Sequence, residues 1–379
     1  MRNFLLTSLT AVVVVSYSSV CHAQAILFQD QMTDPNGWGV NRGPEIDSAA
    51  TFGYDYSADG IPEAPNTKGG DTATSGVKLE ANLDIFATST FFTIYPTGQN
   101  FTGDYVLEFD MWMNYSTVDR EDNGGAGTTE FGGGGIGYDG VTADIASGAQ
   151  AMVTGEGGSG NDYRAFKSPP QFFIQDAEMV AGTHNATGST NYTDFFPAGS
   201  GVPPAIQNQL PADPNTNQNR AGSPGFQWFT WRISTVGNRV RTEMVKPNGE
   251  SLDIVSYDKT DTSDGSSGVS TDGNISIFYA DFFDSISANP QLTFGIADNV
   301  VVSEAISGDF DFDGDVDGDD FLKWQRGSGT IYNTDDLTAW QNNYGFVAPL
   351  AALNAVPEPA SIAILALGAA TLITLRRRS

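Results

Sequence analysis

Short apolar runs divided by Gly, Asn, Asp and Pro are the feature that most restricts the fold of this chain. Residues 26–303 contain many such runs, rich in β-branched and aromatic side chains, and no long stretch with helical periodicity. Runs of this kind, bounded by turn-forming residues, are typical of strands. The sequence therefore predicts an all-β domain over 26–305. The clearest strands are 77–81, 91–95, 105–115, 226–234, 240–245, 252–257, 275–279 and 292–296.

Two turn signals and one alternating run predict how these strands are arranged. Gly237-Asn238 and Pro247-Asn248-Gly249 separate three of the strands, and such short turns join antiparallel neighbours. In the run after residue 104, every second residue is apolar, which suits a strand with one face in a sandwich core. We therefore expect an antiparallel β-sandwich. The apolar face comprises Tyr105, Leu107, Phe109, Met111, Met113 and Tyr115.

Two segments break this pattern and are predicted to be long surface loops. Glycine dominates 123–160, and Asn, Pro and Ser are frequent in 181–225. Long loops in a compact domain are usually binding loops or disordered segments, and the sequence does not separate these alternatives.

The N-terminal 23 residues predict a secretory signal peptide that is removed. An apolar run from Phe4 to Val15 is followed by small or neutral residues up to Ala23, which is the layout of such a signal. The only cysteine, Cys21, lies inside it, so the mature chain would contain no disulfide bond. Val20 stands where a lipoprotein signal needs a small residue, and lipidation of Cys21 is therefore not expected.

The chain is strongly acidic. It has 46 Asp and Glu residues against 18 Lys and Arg, and a formal net charge of −28. Such an excess of negative charge repels polyanions and attracts cations. Nucleic acid is therefore not an expected partner, whereas a metal cation is a natural one.

An aspartate-rich loop over 309–320 has the spacing of an EF-hand-type calcium site. Carboxylates stand at loop positions 1, 3, 5, 9 and 12, and Gly314 stands at position 6, where the loop must turn sharply. Since these acids repel one another without a cation, we expect Ca²⁺ binding to order the loop. The alternative is a solvated acidic linker. The predicted ligands are Asp309, Asp311, Asp313, Asp315 through its main-chain carbonyl, Asp317 and Asp320.

The loop and the segment after it resemble type I dockerin modules, which pair two loop-helix units. An Asp-Asp pair, a Trp-Gln pair and a terminal Gly recur at one register in 319–329 and 335–345, which indicates an internal duplication. A second loop would place Gly327 and Gly329 at ligand positions, so only one calcium site is expected. The resemblance implies a small helical module over 308–345, in which Phe321, Trp324, Leu337, Trp340 and Tyr344 form a two-helix core. Binding of a cohesin-like protein is the alternative role of the two Trp residues.

The last 24 residues resemble the PEP-CTERM sorting signal that exosortases recognise. Pro357, Glu358 and Pro359 precede an apolar run over 361–375 and three arginines at 376–378. We expect the apolar helix to lie in the inner membrane with the arginines on the cytoplasmic side. A permanent single-span anchor is the alternative. The resemblance implies an exosortase-type partner and delivery to the cell envelope, outer surface or extracellular matrix, often within extracellular polysaccharide.

These features divide the chain into five parts. They are a signal peptide (1–23), a β-sandwich (26–305), a dockerin-like module (308–345), a linker (346–355) and a sorting signal (356–379). A dockerin-like loop next to such a tail also resembles planctomycete exported proteins.

The pattern over most of 26–303 is similar to concanavalin-type lectin and glucanase jelly rolls. Laminarinase-like members carry Glu-x-Asp-x-x-Glu on one strand, and Glu108 and Asp110 begin this pattern, but Met113 stands where the acid is needed. We therefore expect Glu108 and Asp110 to lie on the solvent face of a strand. His184, the only histidine outside the signal peptide, supports neither a metal cluster nor a serine triad. No catalytic residue is predicted.

Three functions stay open at this point. The first is a non-catalytic surface or matrix protein that binds polysaccharide through exposed aromatics such as Trp112, Trp228 or Trp231, although tryptophans in a sandwich are more often core residues. The second is a polysaccharide-degrading hydrolase, and the third is a structural envelope protein.

Overall fold

Two antiparallel sheets form the body of the protein. A computed structural model describes residues 24–43, 47–65, 73–83, 89–120, 127–209, 218–283 and 287–347. The strands are β1 (Ile26–Asp30), β2 (Trp38–Arg42), β3 (Ser48–Asp55), β4 (Ser75–Ala81), β5 (Thr90–Pro96), β6 (Tyr105–Asn114), β7 (Glu130–Tyr138), β8 (Gly148–Thr154), β9 (Tyr163–Ser168), β10 (Phe172–Phe173), β11 (Trp228–Val236), β12 (Arg239–Val245), β13 (Ser251–Asp258), β14 (Asn274–Asp281) and β15 (Phe294–Glu304). The helices are α1 (Thr190–Phe195), α2 (Gly318–Gly327) and α3 (Thr334–Asn343), with short 3₁₀ helices at Tyr56–Asp59, Asp176–Glu178, Ala205–Gln209 and Pro290–Leu292.

The predicted antiparallel β-sandwich is confirmed. The larger sheet has the order β13-β12-β11-β6-β15-β4-β3, with β1 also paired to β15, and the smaller sheet has the order β10-β9-β8-β7-β14-β5-β2. The two predicted hairpins are the pairs β11–β12 and β12–β13. Five of the six residues of the predicted apolar face, Tyr105, Leu107, Phe109, Met111 and Met113, lie in the main core between the sheets, and the sixth, Tyr115, lies after β6 in a second cluster.

The prediction of a surface loop over 123–160 is wrong, because two central strands of the smaller sheet, β7 and β8, lie there. Along the run Gly132 to Gly135, the backbone of β7 lies very close to side chains of the facing sheet. A Cβ added at Gly132 would lie 2.1 Å from Met111 Cε of the facing sheet, and one at Gly134 would lie 2.7 Å from Phe109 Cε1. Glycine here makes room for large side chains of β6, and the run therefore belongs to the core.

The segment 181–225 also contributes to the core, contrary to the prediction of a surface loop. Helix α1 places Tyr192 against Tyr163 of β9, with stacked rings 3.8 Å apart between centroids. Phe195 and Phe196 at its end are buried in the main core. The large aromatic residues within this segment indicated a contribution to the core, but its high content of Asn, Pro and Ser led to the prediction of a surface loop.

The C-terminal module contains the two predicted amphipathic helices. The ring of Phe321 on α2 contacts the ring of Trp340 on α3, with 4.9 Å between centroids. The module also packs on the larger sheet through a small apolar cluster of Phe310, Ile331 and Tyr332. The composition predicted a separate module, whereas in the structure the module packs against the sandwich.

No described helix has the length and apolar character needed to span a membrane. The predicted signal peptide, most of the linker and the predicted sorting helix lie outside the described residues.

Candidate metal centre

The acidic loop runs from the end of β15 into the first turn of α2. Gly314 has φ = +100°, a left-handed conformation that glycine adopts without steric cost, so the loop turns at the predicted position. Asp317 caps α2 by accepting a hydrogen bond from the Asp319 N–H at 2.7 Å. Asp320 accepts the reciprocal bond from the Asp317 N–H at 2.7 Å. The start of α2 therefore fixes two of the predicted ligands.

The carboxylates of the six predicted ligand residues lie in two groups of three, and they include the carboxylate of Asp315, for which the sequence predicted a main-chain carbonyl ligand. In each group, ligand oxygens of the three residues lie within 4.8 Å of one another. The first group is Asp309, Asp311 and Asp313, and the second is Asp315, Asp317 and Asp320.

Two buried carboxylates hold the loop in shape. Asp309 accepts hydrogen bonds from the N–H groups of Phe312 at 2.6 Å and Gly314 at 3.1 Å. Asp320 accepts one from the Phe310 N–H at 2.6 Å. Because Phe310 adjoins Asp309 in the chain, this bond brings the first and last acids of the loop next to each other.

The electrostatics of the loop are those of uncompensated negative charge. Burial, and then the charges of Asp320 and Asp311, raise the pKa of Asp309 to about 8. Burial, and then the charges of Asp313 and Asp320, raise the pKa of Asp311 to about 6. Burial also raises the pKa of Asp320 and of Asp315. A divalent cation among these oxygens would reverse the shifts.

The loop is tied to the segment that follows α3. The buried Val316 donates its N–H to the Phe346 carbonyl at 2.9 Å and accepts from the Gly345 N–H at 2.8 Å. Asp315 forms an isolated β-bridge with Val347. The loop and the chain beyond α3 therefore form one hydrogen-bonded unit.

Two arginines of the larger sheet hold the first residues of the loop. Arg241 donates to the Phe310 carbonyl at 2.9 Å, and Arg232 donates to the Asp311 carbonyl at 3.3 Å. The Phe312 ring lies under both guanidinium groups, with centroid distances of 5.1 and 5.5 Å. The loop is therefore docked on β11 and β12.

A charge-balanced network lies beneath the docked loop, and Glu243 is at its centre. Its carboxylate lies 2.8 Å from Arg241, 3.6 Å from Arg232 and 3.4 Å from Lys323 of α2. Burial alone would raise the pKa of Glu243, but Arg241, Lys323 and Arg232 lower it to about 2. Sequence reasoning missed this network, although charged residues inside otherwise apolar strands were its signal. The other acidic members are Glu108 and Asp253.

The prediction that Glu108 and Asp110 face solvent is wrong. Their exposed fractions are 2% and 1%. Glu108 pairs with Arg232 at 2.7 Å, and Asp110 accepts from the Asn299 side chain at 2.9 Å. The docked module and neighbouring side chains cover this face of β6, which an alternating pattern cannot reveal.

The three tryptophans considered for glycan binding are buried. Trp231 lies in the main core, and Trp112 packs edge-on against Trp228 with centroids 5.7 Å apart. The core position that the sequence favoured for all three is therefore confirmed, and their candidacy as exposed binding residues is wrong. Trp228 also lines an open groove of about 580 Å³ together with Pro204 and Lys246.

His184 is buried and engaged on both ring nitrogens. Nδ1 pairs with the Asp176 carboxylate, and Nε2 lies 2.8 Å from the Ile174 carbonyl oxygen. The ring also stacks on Phe173, with 4.5 Å between centroids. These contacts give His184 a structural role.

One family model matches the chain, and it describes the PEP-CTERM protein-sorting motif over residues 355–378. A search of curated proteins found no match. Among solved structures, the VIP36 exoplasmic/lumenal domain in its Ca²⁺/Man3GlcNAc-bound form is similar at 8% identity and a TM-score of 0.36, over 73% of this chain and 86% of that one. A legume lectin-like domain from Entamoeba histolytica is 7% identical, with a TM-score of 0.35, over 73% and 97% of the two chains. Lectin II from Ulex europaeus is 10% identical, with a TM-score of 0.30, over 73% and 97%.

The sorting motif indicates where the protein is delivered. A PEP-CTERM motif is that of an exported protein, anchored transiently in the membrane and processed by an exosortase before it reaches the cell surface. Its Pro357, Glu358 and Pro359 lie outside the described residues.

Proposed function

We propose that this exported protein binds one Ca²⁺ ion in loop 309–320, and that the ion fixes the C-terminal helical module on the β-sandwich at the cell surface. The observation that carries the proposal is the gathering of all six predicted aspartates into two groups of three on one turning loop, whose first and last acids are brought together by the bond from the Phe310 N–H to Asp320. Ca²⁺ takes about six to eight oxygen ligands from carboxylates and carbonyls, which is the donor set of this loop.

Two further features support a cation in the loop. The buried Asp309 and the half-buried Asp311 carry raised pKa values because burial and neighbouring carboxylates disfavour their charge, and the charge of Lys323 offsets this for Asp311 only in part. Asp315 Oδ1 is shielded from solvent and has no hydrogen-bond partner among the described residues. A bound ion would neutralise the charge of Asp309 and Asp311 and would give Asp315 Oδ1 a partner. It would supply only this charge neutralisation and the cross-linking of the loop.

The test compares two double variants of the full chain. Asp311→Asn/Asp313→Asn removes two ligand charges but keeps oxygen acceptors for the hydrogen bonds to the N–H groups of Asp313 and Asp315. Asp319→Asn/Asp335→Asn is the matched control, because it removes two exposed charges of the same module outside the ligand set.

Calcium titration followed by tryptophan emission reports on this loop, because the Trp340 indole donates to the Asp317 carbonyl at 2.7 Å. We expect the ligand variant to bind about 100-fold more weakly than the parent, while the control stays within about threefold. Equal affinities of the two double variants, or no response of the parent to millimolar Ca²⁺, would contradict the proposal.

Carbohydrate binding by the sandwich is the second candidate. The open groove that Lys246 and Asn248 line beside Trp228 is the observation that favours it, because these two side chains offer polar contacts to a sugar; Trp228 itself is only 5% exposed and forms part of the groove floor. A glycan array and a reducing-sugar release assay on the full chain distinguish the functions: binding without turnover supports a lectin, turnover supports a hydrolase, and neither supports a structural protein. A cohesin-like partner stays a prediction.

A further inference from the structure

A second cluster of buried oxygen atoms lies in the smaller sheet, outside the acidic loop. Glu130 begins β7, Asp281 ends β14 and Thr90 begins β5. Asp281 lies directly opposite Glu130 on one side and opposite Thr90 on the other. Because directly opposed residues of antiparallel strands point to the same face, the three side chains form one row at this end of the sheet.

The larger sheet contributes a fourth side chain to the row. Asn82 follows β4, and its Nδ2 donates to Asp281 Oδ2 at 2.6 Å. No member of the cluster, whether Glu130, Asp281, Thr90 or Asn82, is more than 5% exposed. The cluster therefore joins the ends of both sheets in an environment without solvent.

Three oxygens of this cluster are buried without hydrogen bonds. Glu130 Oε2, Asn82 Oδ1 and Thr90 Oγ1 have no hydrogen-bond partner within the described chain. A buried acceptor without a partner costs about 1–3 kcal/mol, and such atoms are rare in folded proteins. Three of them in one place point to a bound group that completes the cluster.

The charge of the cluster narrows the choice of that group. The Glu130 carboxylate is 5% exposed and lies opposite the fully buried Asp281 carboxylate on the same face of the sheet, so two acids share one site without solvent. Either a proton or a cation can neutralise Glu130. A proton on Glu130 would leave the oxygens of Asn82 and Thr90 unsatisfied, whereas a hard cation accepts carboxylate, amide and hydroxyl oxygens as ligands.

We propose that Glu130, Asp281, Asn82 and Thr90 bind a Ca²⁺ ion that links the ends of the two sheets, independently of loop 309–320. Two carboxylates, one amide and one hydroxyl offer oxygen ligands only, and two negative charges match a divalent cation. Ca²⁺ suits such a set because it accepts flexible geometry and about six to eight oxygens, whereas Mg²⁺ requires a near-ideal octahedron.

Counting bound ions tests the site. The full chain with Asp311→Asn/Asp313→Asn, which disables the loop, should retain one Ca²⁺ per chain in equilibrium dialysis. Adding Glu130→Gln, which keeps the size of the side chain, should remove that ion, and adding Glu63→Gln at an exposed position should not. The site is refuted if the loop variant binds no Ca²⁺, or if adding Glu130→Gln to it leaves the ion count unchanged. If only the loop proposal fails, the parent and the loop variant should bind the same number of Ca²⁺ ions per chain. Glu130→Gln should then lower that number in both chains.

A gain-of-charge variant keeps the site testable if Glu130→Gln does not fold. Asn82 has φ = +49°, a conformation that Asp also tolerates. In the loop-disabled chain, Asn82→Asp should lower the thermal midpoint in EDTA and restore it in Ca²⁺, with a larger calcium response than its parent. A neutral, protonated Glu130 predicts no calcium response in either chain, and that result would overturn the site.

Discussion

Replacing Arg241 by Met should separate the docked module from its charged support. The Arg241 side chain is 4% exposed, contacts Glu243 at 2.8 Å, pairs with Asp253 and donates to the Phe310 carbonyl. Burial alone would lower the pKa of Arg241, but Asp253 and Glu243 raise it above its ordinary value. The substitution leaves two carboxylates without this cation.

The expected loss can be estimated from the neighbours that remain. Removing one partner of a buried ion pair costs about 3–5 kcal/mol, because the other charge stays buried. Glu243 keeps Arg232 at 3.6 Å and Lys323 at 3.4 Å, and Asp253 is partly exposed, so both acids retain some compensation. We therefore expect a loss near the lower end, about 3 kcal/mol in the free energy of unfolding.

Urea denaturation in excess Ca²⁺ measures this loss. Arg239→Met is the matched control, since Arg239 is 23% exposed and its only described ion pair, with Asp336, is 3.8 Å long. The control should lose less than about 1 kcal/mol. Arg241→Met/Glu243→Leu should recover part of the loss, because it removes the buried acid together with the cation. Equal stability of the two single variants would refute the electrostatic argument.

Two more predictions concern the loop and the glycine run. Without Ca²⁺, the folded chain holds protons on Asp309 and Asp311 that the unfolded chain releases, since the pKa of Asp309 is raised from 3.8 to about 8. The stability of the ion-free chain should therefore fall as pH rises from 4 to 8. Calcium affinity should rise over the same range, and calorimetry in two buffers should detect the protons that binding releases. A calcium affinity that is independent of pH in this range would contradict the raised pKa values of the two ligands. Gly134→Ala should destabilise the chain by about 1–3 kcal/mol in urea titrations, because a Cβ meets Phe109 at 2.7 Å, whereas Gly98→Ala, in open space at positive φ, should lose only about 1 kcal/mol. Equal losses would exclude close packing as the cause.

The sequence predicted the sandwich because its clearest strands show an alternation of apolar residues and are bounded by turn residues. Strand β6 is an example: its apolar face was predicted correctly from Tyr105 to Met113, whereas Tyr115 lies after the strand, in a second apolar cluster. Strands β7 and β8 were missed because glycine usually indicates a loop or a weak strand, whereas here the glycines of β7 make room for the large side chains that face them. Local pattern does not encode what lies across a core.

The same limit applies to the candidate site. Spacing alone predicted the six aspartates that the structure brings together in one loop, because the ligands of the proposed type of site are close in sequence. The arginines that hold the loop, Arg232 and Arg241, lie 79 and 69 residues before the carbonyl groups to which they donate. The cluster around Glu130 likewise unites residues from four strand ends. Residues that come together only in the tertiary structure show no regular spacing in the sequence, so sequence patterns do not reveal them.

The pairing of Asp315 and Val316 with the chain at 345–347 has a mechanical consequence. Tension on a C-terminal tether enters the fold at this short ladder before it reaches α3. Pulled along its length, the ladder is sheared, so its hydrogen bonds must break together rather than one by one. Because the opposite strand of the ladder is the acidic loop, an ion that stiffens the loop would also raise the force at which a surface-tethered molecule begins to unravel.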